Sequence, residues 1–215
     1  MKTIATLILI TLGFTSGVMS QDQKAIDILN SVSDKTKAYK NFSADFTMSL
    51  VDLQSDIAMK KSGSIVVAGD KYRVKLDKDV VIGDGDTRWT FQSESNEVYV
   101  DYEATEEDNA LNPSKLFTIW ESGFKQFYDG TGDVNGRKAH QIKLHPVKPG
   151  DSSFHTVKVH VDSEKLELLK VEVMGKEGDN YTYELQSFKA DQSIPSGTFA
   201  FEKSKFPGAE VIDLR

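Results

Sequence analysis

Phe42-Ser43-Ala44-Asp45-Phe46-Thr47-Met48-Ser49-Leu50 alternates apolar and polar residues without a break. A period of two puts every second side chain on the same face of an extended chain, so the stretch reads as a half-buried strand. Working outward, Ile57, Met59, Gly63, Ile65 and Val67 keep one parity. Gly69-Asp70 then turns the chain into Tyr72, Val74 and Leu76, set against Lys71, Arg73 and Lys75. Alternating runs on either side of a glycine turn are hairpin chemistry.

The pattern continues. Strands are predicted over Asp79 to Ile82, Arg88 to Gln92, Glu97 to Tyr102, Lys125 to Tyr128, Arg137 to Leu144, Phe154 to Val161, Leu166 to Met174 and Tyr181 to Phe188. Turn clusters such as Gly83-Asp84-Gly85-Asp86 and Asp133-Val134-Asn135-Gly136 separate them. Together with the first three strands this makes about eleven, with no intervening helix long enough for a parallel crossover, so the sheet is expected to be antiparallel. A sheet that wide has to curl or split. The expected fold is mainly β, a single-domain unclosed antiparallel β-barrel with an α-helical lid.

Two segments break the strand pattern. Residues 22 to 37 place Ala25, Ile28, Leu29 and Val32 at helical spacing, with Asp22 as N-cap. After the acidic loop Glu103 to Asp108, Asn112 as N-cap and Pro113 at the first helical position mark another helix start. Leu116, Phe117, Ile119 and Trp120 give that short segment unusual apolar weight. It reads either as a plug of ordinary core or as a movable lid over an apolar cavity.

The N-terminus carries Lys2, the apolar runs Ile4 to Ile10 and Leu12 to Phe14, and small residues before a cut after Ser20. This is the pattern of a secretory signal peptide, and the run falls short of the roughly 20 residues that span a bilayer. Residues 1–20 are therefore expected to be a leader and residues 21–215 one exported, soluble domain.

Composition narrows the chemistry. The 215 residues hold 26 Lys and Arg against 33 Asp and Glu, a net charge of −7, which disfavours nucleic acid and anionic membrane surfaces as main partners. There is no cysteine, hence no disulfide framework, thiol nucleophile or lipid-modified N-terminal cysteine. Gly150-Asp151-Ser152-Ser153 resembles an esterase nucleophile block, but no helix follows the serine. Gly130 to Lys138 lacks phosphate-loop spacing, and Asp84-Gly85-Asp86 is too short for a calcium loop.

The four histidines would pair, His140 with His160 and His145 with His155, if a hairpin were centred on Gly150. Matching the apolar faces, His140, Ile142 and Leu144 against His155, Val157, Val159 and Val161, shifts the register by one residue and separates both pairs. No enzyme, metal or cofactor is expected.

With these elements in place, the chain resembles the periplasmic outer-membrane lipoprotein carrier family, LolA. The resemblance lies in the order of local motifs. These are the first helix leading into Phe42-Ser43-Ala44-Asp45-Phe46, the Gly63 strand before Tyr72-Arg73, and Ile82-Gly83-Asp84-Gly85 with Trp89 and Phe91. The Asn112-Pro113 helix start, Phe199-Ala200-Phe201 and the ending Phe206-Pro207-Gly208-Ala209-Glu210-Val211-Ile212-Asp213 complete the set.

The resemblance implies a half-barrel capped by helices, whose cavity takes the acyl chains of lipoproteins. It implies cargo received from an inner-membrane ABC exporter and delivered to the outer membrane, in many bacteria through a lipid-anchored receptor. Lacking cysteine, this chain looks like the soluble carrier, and it is expected to be a monomer. Candidate acyl-chain contacts are Phe42, Phe46, Met48, Met59, Ile65, Trp89 and Phe91, with Leu116, Phe117, Ile119 and Trp120 in the lid. Better-known members hold the lid shut with a basic residue that precedes a proline ahead of the third strand. Val67-Ala68-Gly69-Asp70-Lys71-Tyr72-Arg73 has neither, which leaves Arg73, on the outer face by alternation, as a weak latch candidate. Competing readings are an envelope sensor of lipids or lipoproteins, a phospholipid or glycolipid carrier on the same half-barrel, and a hydrolase of envelope polymers.

Overall fold

The computed structural model describes residues 16–55, 57–103 and 116–215. Most of the expected leader, the acidic loop and the Asn112-Pro113 helix start lie outside the described residues. Helix α1 spans Ser16–Ala38. It begins ahead of Asp22, which is therefore interior and not the N-cap; Val18 to Gln23 contains no glycine or proline to stop a helix there. Ala25, Ile28, Leu29 and Val32, one stripe of the helix, are all buried as expected.

The strands are β1 (Phe42–Asp52), β2 (Ile57–Ala68), β3 (Lys71–Leu76), β4 (Asp79–Gly83), β5 (Thr87–Gln92) and β6 (Glu97–Tyr102). Then come β7 (Phe124–Val134), β8 (Arg137–Pro146), β9 (Phe154–Asp162), β10 (Leu168–Gly175), β11 (Asp179–Ala190) and β12 (Glu210–Asp213). They form one sheet in the order β12-β6-β5-β4-β3-β2-β1-β11-β10-β9-β8-β7. The end strands β12 and β7 do not pair with each other, so the sheet is open and not closed into a barrel.

Two expectations need correction. The sheet has twelve strands, and the additional one, β12, pairs parallel with β6 (Glu210 opposite Glu97, Asp213 opposite Val100). Four residues are too few to show a period. The parallel pairing follows from a return path: after β11 the chain crosses the outer face of the sheet before joining its edge. The β8–β9 register is the shifted one, with His140 opposite Val161 and Gln141 opposite His160. His155 is exposed, however, and does not share the buried face of Val157, Val159 and Val161.

The sheet changes its buried face along its width. Across β1–β3 and β8–β11 the concave side is buried: Phe42, Ala44, Phe46, Met48, Ile65, Tyr72, Val74, Ile142, Leu144, Val157 and Tyr183 form one core with α1 and Leu116, Phe117 and Trp120. Across β4–β6 the convex side is buried instead. There Val80, Ile82, Val98 and Val100 lie beneath Phe206 and Ala209 of the returning C-terminal segment. Strand β4 is the switch, with Val81 packed on the concave core and Val80 and Ile82 on the convex one.

Candidate functional site

The concave core is roofed by two pieces of chain. One is the stripe of α1; the other is Leu116 to Glu121, which ends in a 3-10 turn over Ile119–Glu121. Trp120, 1% exposed, donates its indole N–H to Ser33 Oγ at 2.8 Å and to the Leu29 carbonyl at 3.2 Å, tying the two pieces together. Lys37 adds an ion pair to Glu121 at 2.8 Å, and Lys35 anchors the end of α1 to Glu167 at 3.2 Å. Beneath the roof, the Phe117 ring packs on Phe42, centroids 4.7 Å apart, and Phe188 packs on both.

Two glycines make room for this interior. A Cβ at Gly63 would stand 2.4 to 2.9 Å from the Phe46 ring, and one at Gly83 would stand 2.3 Å from the Tyr72 ring. Each ring therefore lies flat over a neighbouring strand where no side chain obstructs it. Tyr183, opposite Met48, is buried deeply enough that its phenol is pushed up to about 12.

At one end of the concave face lies a cleft of about 450 Å³. Its apolar wall is Tyr39, Phe42, Val67, Tyr72 and Phe117, and its polar rim includes Lys37, Asn41, Asp70, Glu103 and Thr118. Tyr72 donates its hydroxyl to Glu103 Oε1 at 2.9 Å, while Glu103 Oε2 is buried without a hydrogen-bond partner. A Cβ at Gly83 would come within 2.8 Å of that same oxygen.

The structure brings Phe42, Phe46, Met48, Ile65, Leu116, Phe117 and Trp120 into one core, with Ile119 packed against it. Met59 shares their face but stands at its margin, 39% exposed. Trp89 and Phe91 are not brought to this face. They lie on the convex side, Trp89 stacked on Phe201 (6.0 Å) and Phe91 against Phe206 (4.8 Å). Arg73 is on that side too, between Val66 and Ile82 in register, and donates to the Thr198 carbonyl at 3.2 Å. Burial pulls its pKa down, an effect that Glu202 opposes.

Sequence reasoning misses Tyr72, Glu103 and Phe188 as site residues. Tyr72 is legible as an inward position of β3. Glu103 is not, because it reads as the first residue of an acidic loop.

Gly150 and Asp151 fall in a 3-10 turn over Pro149–Asp151, and the strand that follows starts at Phe154. Among the described residues, no group of three or more His, Asp or Glu side chains could hold a metal ion. His160 bonds Glu172 at 2.6 Å on the convex face, and His140 bonds the Tyr128 hydroxyl at 3.0 Å. The latter ring is held below its ordinary pKa by burial and by Lys24 and Lys138.

An open sheet curled around an apolar interior, roofed by one helix and a turn, is the architecture of a binding domain. The profile of outer membrane lipoprotein carrier protein LolA matches residues 37–202, so the chain belongs to the LolA family. Proteins of that family are carriers or binding proteins of the periplasm. Among the described residues, no helix is long and apolar enough to cross a membrane.

No curated protein matches the chain in sequence. Solved structures match it in fold. A domain assigned to outer membrane lipoprotein sorting, from Vibrio parahaemolyticus, has a TM-score of 0.50 at 11% identity, covering 86% of this chain and 99% of that one. An uncharacterized conserved protein from Thermus thermophilus has a TM-score of 0.57 at 8% identity, covering 89% and 98%. MucB of Pseudomonas aeruginosa, solved with MucA, has a TM-score of 0.50 at 16% identity, with 84% of this chain matched to 62% of that chain.

Proposed function

We propose that this protein is a periplasmic chaperone that binds the acyl chains of lipoproteins released from the inner membrane and carries them to the outer membrane. The observation that carries the reading is the roof. The apolar concave face is closed only by α1 and Leu116 to Glu121 among the described residues, and Phe117 both lines the cleft and packs in the core. An acyl chain entering the cleft would part Phe117 from Phe42 and take over contacts that those rings now make with each other.

Magnitudes fit a carrier that has to let go. Each buried methylene contributes about 0.8 kcal/mol. Two fully buried chains of about 16 carbons would exceed the practical ceiling near 20 kcal/mol for noncovalent binding. Release then requires partial burial, offset by the cost of opening a packed roof. Phe42, Phe46, Met48 and Phe117 are side chains that can repack around a flexible guest. The partners of this reading are acylated lipoproteins, an inner-membrane ABC exporter and, at the destination, a receptor or the membrane itself.

Native mass spectrometry of the protein incubated with an N-palmitoyl peptide tests the reading. A one-to-one complex is expected, absent with the unacylated peptide; no complex with the acylated peptide would contradict it.

A further inference from the structure

The geometry points to a second binding surface: the free edge of β2, from Ile57 to Lys61, takes an extended acidic segment of a partner protein as an added strand. This surface is independent of the acyl-binding reading. Val67, which lines the cleft, stands at the opposite end of β2.

Strand β2 outruns β3. It pairs with β1 from Ile57 to Val67, whereas its pairing with β3 begins only at Gly63. Asp77 closes that pairing: its N–H donates to the Ser62 carbonyl at 2.9 Å, and its carboxylate accepts the Ser62 N–H at 3.1 Å. Both backbone groups of Ser62 therefore point to the β3 side. Backbone groups alternate in side along an antiparallel strand, so those of Ala58 and Lys60 point the same way, beyond the turn where β3 has ended. Among the described residues no strand pairs with them there, and both residues are exposed. Their N–H and C=O groups form a template for one more strand.

The side chains around this edge define the guest. Val51, Leu53, Ile57 and Met59 are 39% to 71% exposed, a cluster of large apolar groups at one hairpin end. Ile57 and Met59 share the concave face, and a strand laid on the edge would cover them with apolar side chains at every second position. Its other side chains would stand beside Ala58 and Lys60. Among the described residues, no carboxylate pairs with Lys60, or with Lys78 in the turn that follows β3. Asp77 is engaged on Ser62, and Asp79 on Ser93 and Lys61. The complement is a segment that alternates apolar and acidic residues. Two copies joined edge to edge would instead bring both sets of lysines together, which disfavours self-pairing.

The test is a nuclear magnetic resonance titration of the isotopically labelled protein with a peptide of alternating glutamate and valine, blocked at both ends. The amides of Ala58 and Lys60 should shift together, with a dissociation constant of about 100 µM. Glutamates opposite Ala58 and Lys60 would aim their N–H groups at β2, and the valines would aim theirs away. N-methylation of the glutamates should therefore weaken binding about tenfold or more, and N-methylation of the valines less than about twofold. In the protein, Ala58→Pro removes one outward donor without touching the β1 ladder and should weaken binding about tenfold. Lys60→Glu should weaken it about threefold. If Ala58→Pro does not fold, the methylated peptides carry the comparison.

No shift at Ala58 and Lys60, or equal loss from both methylated peptides, would overturn the added strand. So would dimerisation through this edge in sedimentation, which would give it to a second copy. Adsorption of the hairpin end to phosphatidylglycerol vesicles without peptide binding would overturn it in favour of a lipid surface.

Discussion

The indole N–H of Trp120 reaches the hydroxyl of Ser33 at 2.8 Å, a buried bond between the short roof segment and the helix that lies beside it. Ser33 is 5% exposed and Trp120 1%, so neither can turn to water without opening the roof. Ser33→Ala leaves the indole with the Leu29 carbonyl as its described acceptor. The expected cost is about 1 kcal/mol, a melting temperature lower by about 2 to 4 °C, and faster uptake of an acyl probe. Stopped-flow mixing with a fluorescent fatty acyl probe checks the rate. Unchanged uptake would mean that this bond does not hold the entrance.

Leu116→Glu places a charge at a position 4% exposed in the roof. A buried unpaired carboxylate is costly enough to expel its segment from the core, while the strand ladders need nothing from it. Acyl loading should be lost with far-ultraviolet circular dichroism unchanged. Loading that persists would mean that the roof does not gate the apolar interior.

Trp89→Ala should behave in the opposite way. Its ring packs with Phe201 on the convex face, so truncation should cost about 2 to 3 kcal/mol and loosen the C-terminal segment, yet leave acyl binding within about twofold. Denaturant melts and probe titration on the same sample separate the two effects. A large loss of binding would place Trp89 in the binding path.

How much of this is legible in the sequence follows from what a period of two can and cannot say. Alternation in Phe42 to Leu50 identifies the strand and the residues that share its face, and the β8–β9 register follows from matching such faces. Parity does not say which face is inside. In Val80-Val81-Ile82 all three positions are apolar, and the inversion at β4 depends on Phe206 and Ala209 arriving from a distant segment. Trp89 and Phe91 fall on the wrong side in the sequence reading for that reason. Strand β12 is too short to show a pattern. Met59, correct in parity, stands at the exposed margin because parity carries no information about position along the strand.

Glycine substitution tests the two ring cradles. Gly63→Ala puts a methyl group into the Phe46 ring and should destabilise by about 1 to 3 kcal/mol, as overpacking does. Pairing it with Phe46→Leu should recover part of that loss. If the double variant is no better than the sum of the singles, the ring is not what Gly63 accommodates.

Glu172 gives the pH dependence. The hydrogen bond from His160, then Lys170 beside it, holds this carboxyl at about 2 against the opposing effect of burial. A folded pKa below the unfolded value of about 4.3 means that the native state favours the ionised form. The resulting stability is fully present above that unfolded value and is lost as pH falls from there toward 2. Allowing for partial exposure, it is on the order of 1 kcal/mol. Urea melts from about pH 6 to about pH 2.5 should show wild type losing more stability than Glu172→Gln. Parallel curves would contradict the assignment.

Release from membranes tests the carrier role. Inner-membrane vesicles carrying a newly made acylated lipoprotein are supplied with ATP and the protein, and the soluble fraction is assayed for a one-to-one complex. ATP-dependent release of the acylated form is expected, with none of a version without acyl chains and none with Leu116→Glu. Release of both forms alike, or of neither in the presence of a working exporter, would contradict it.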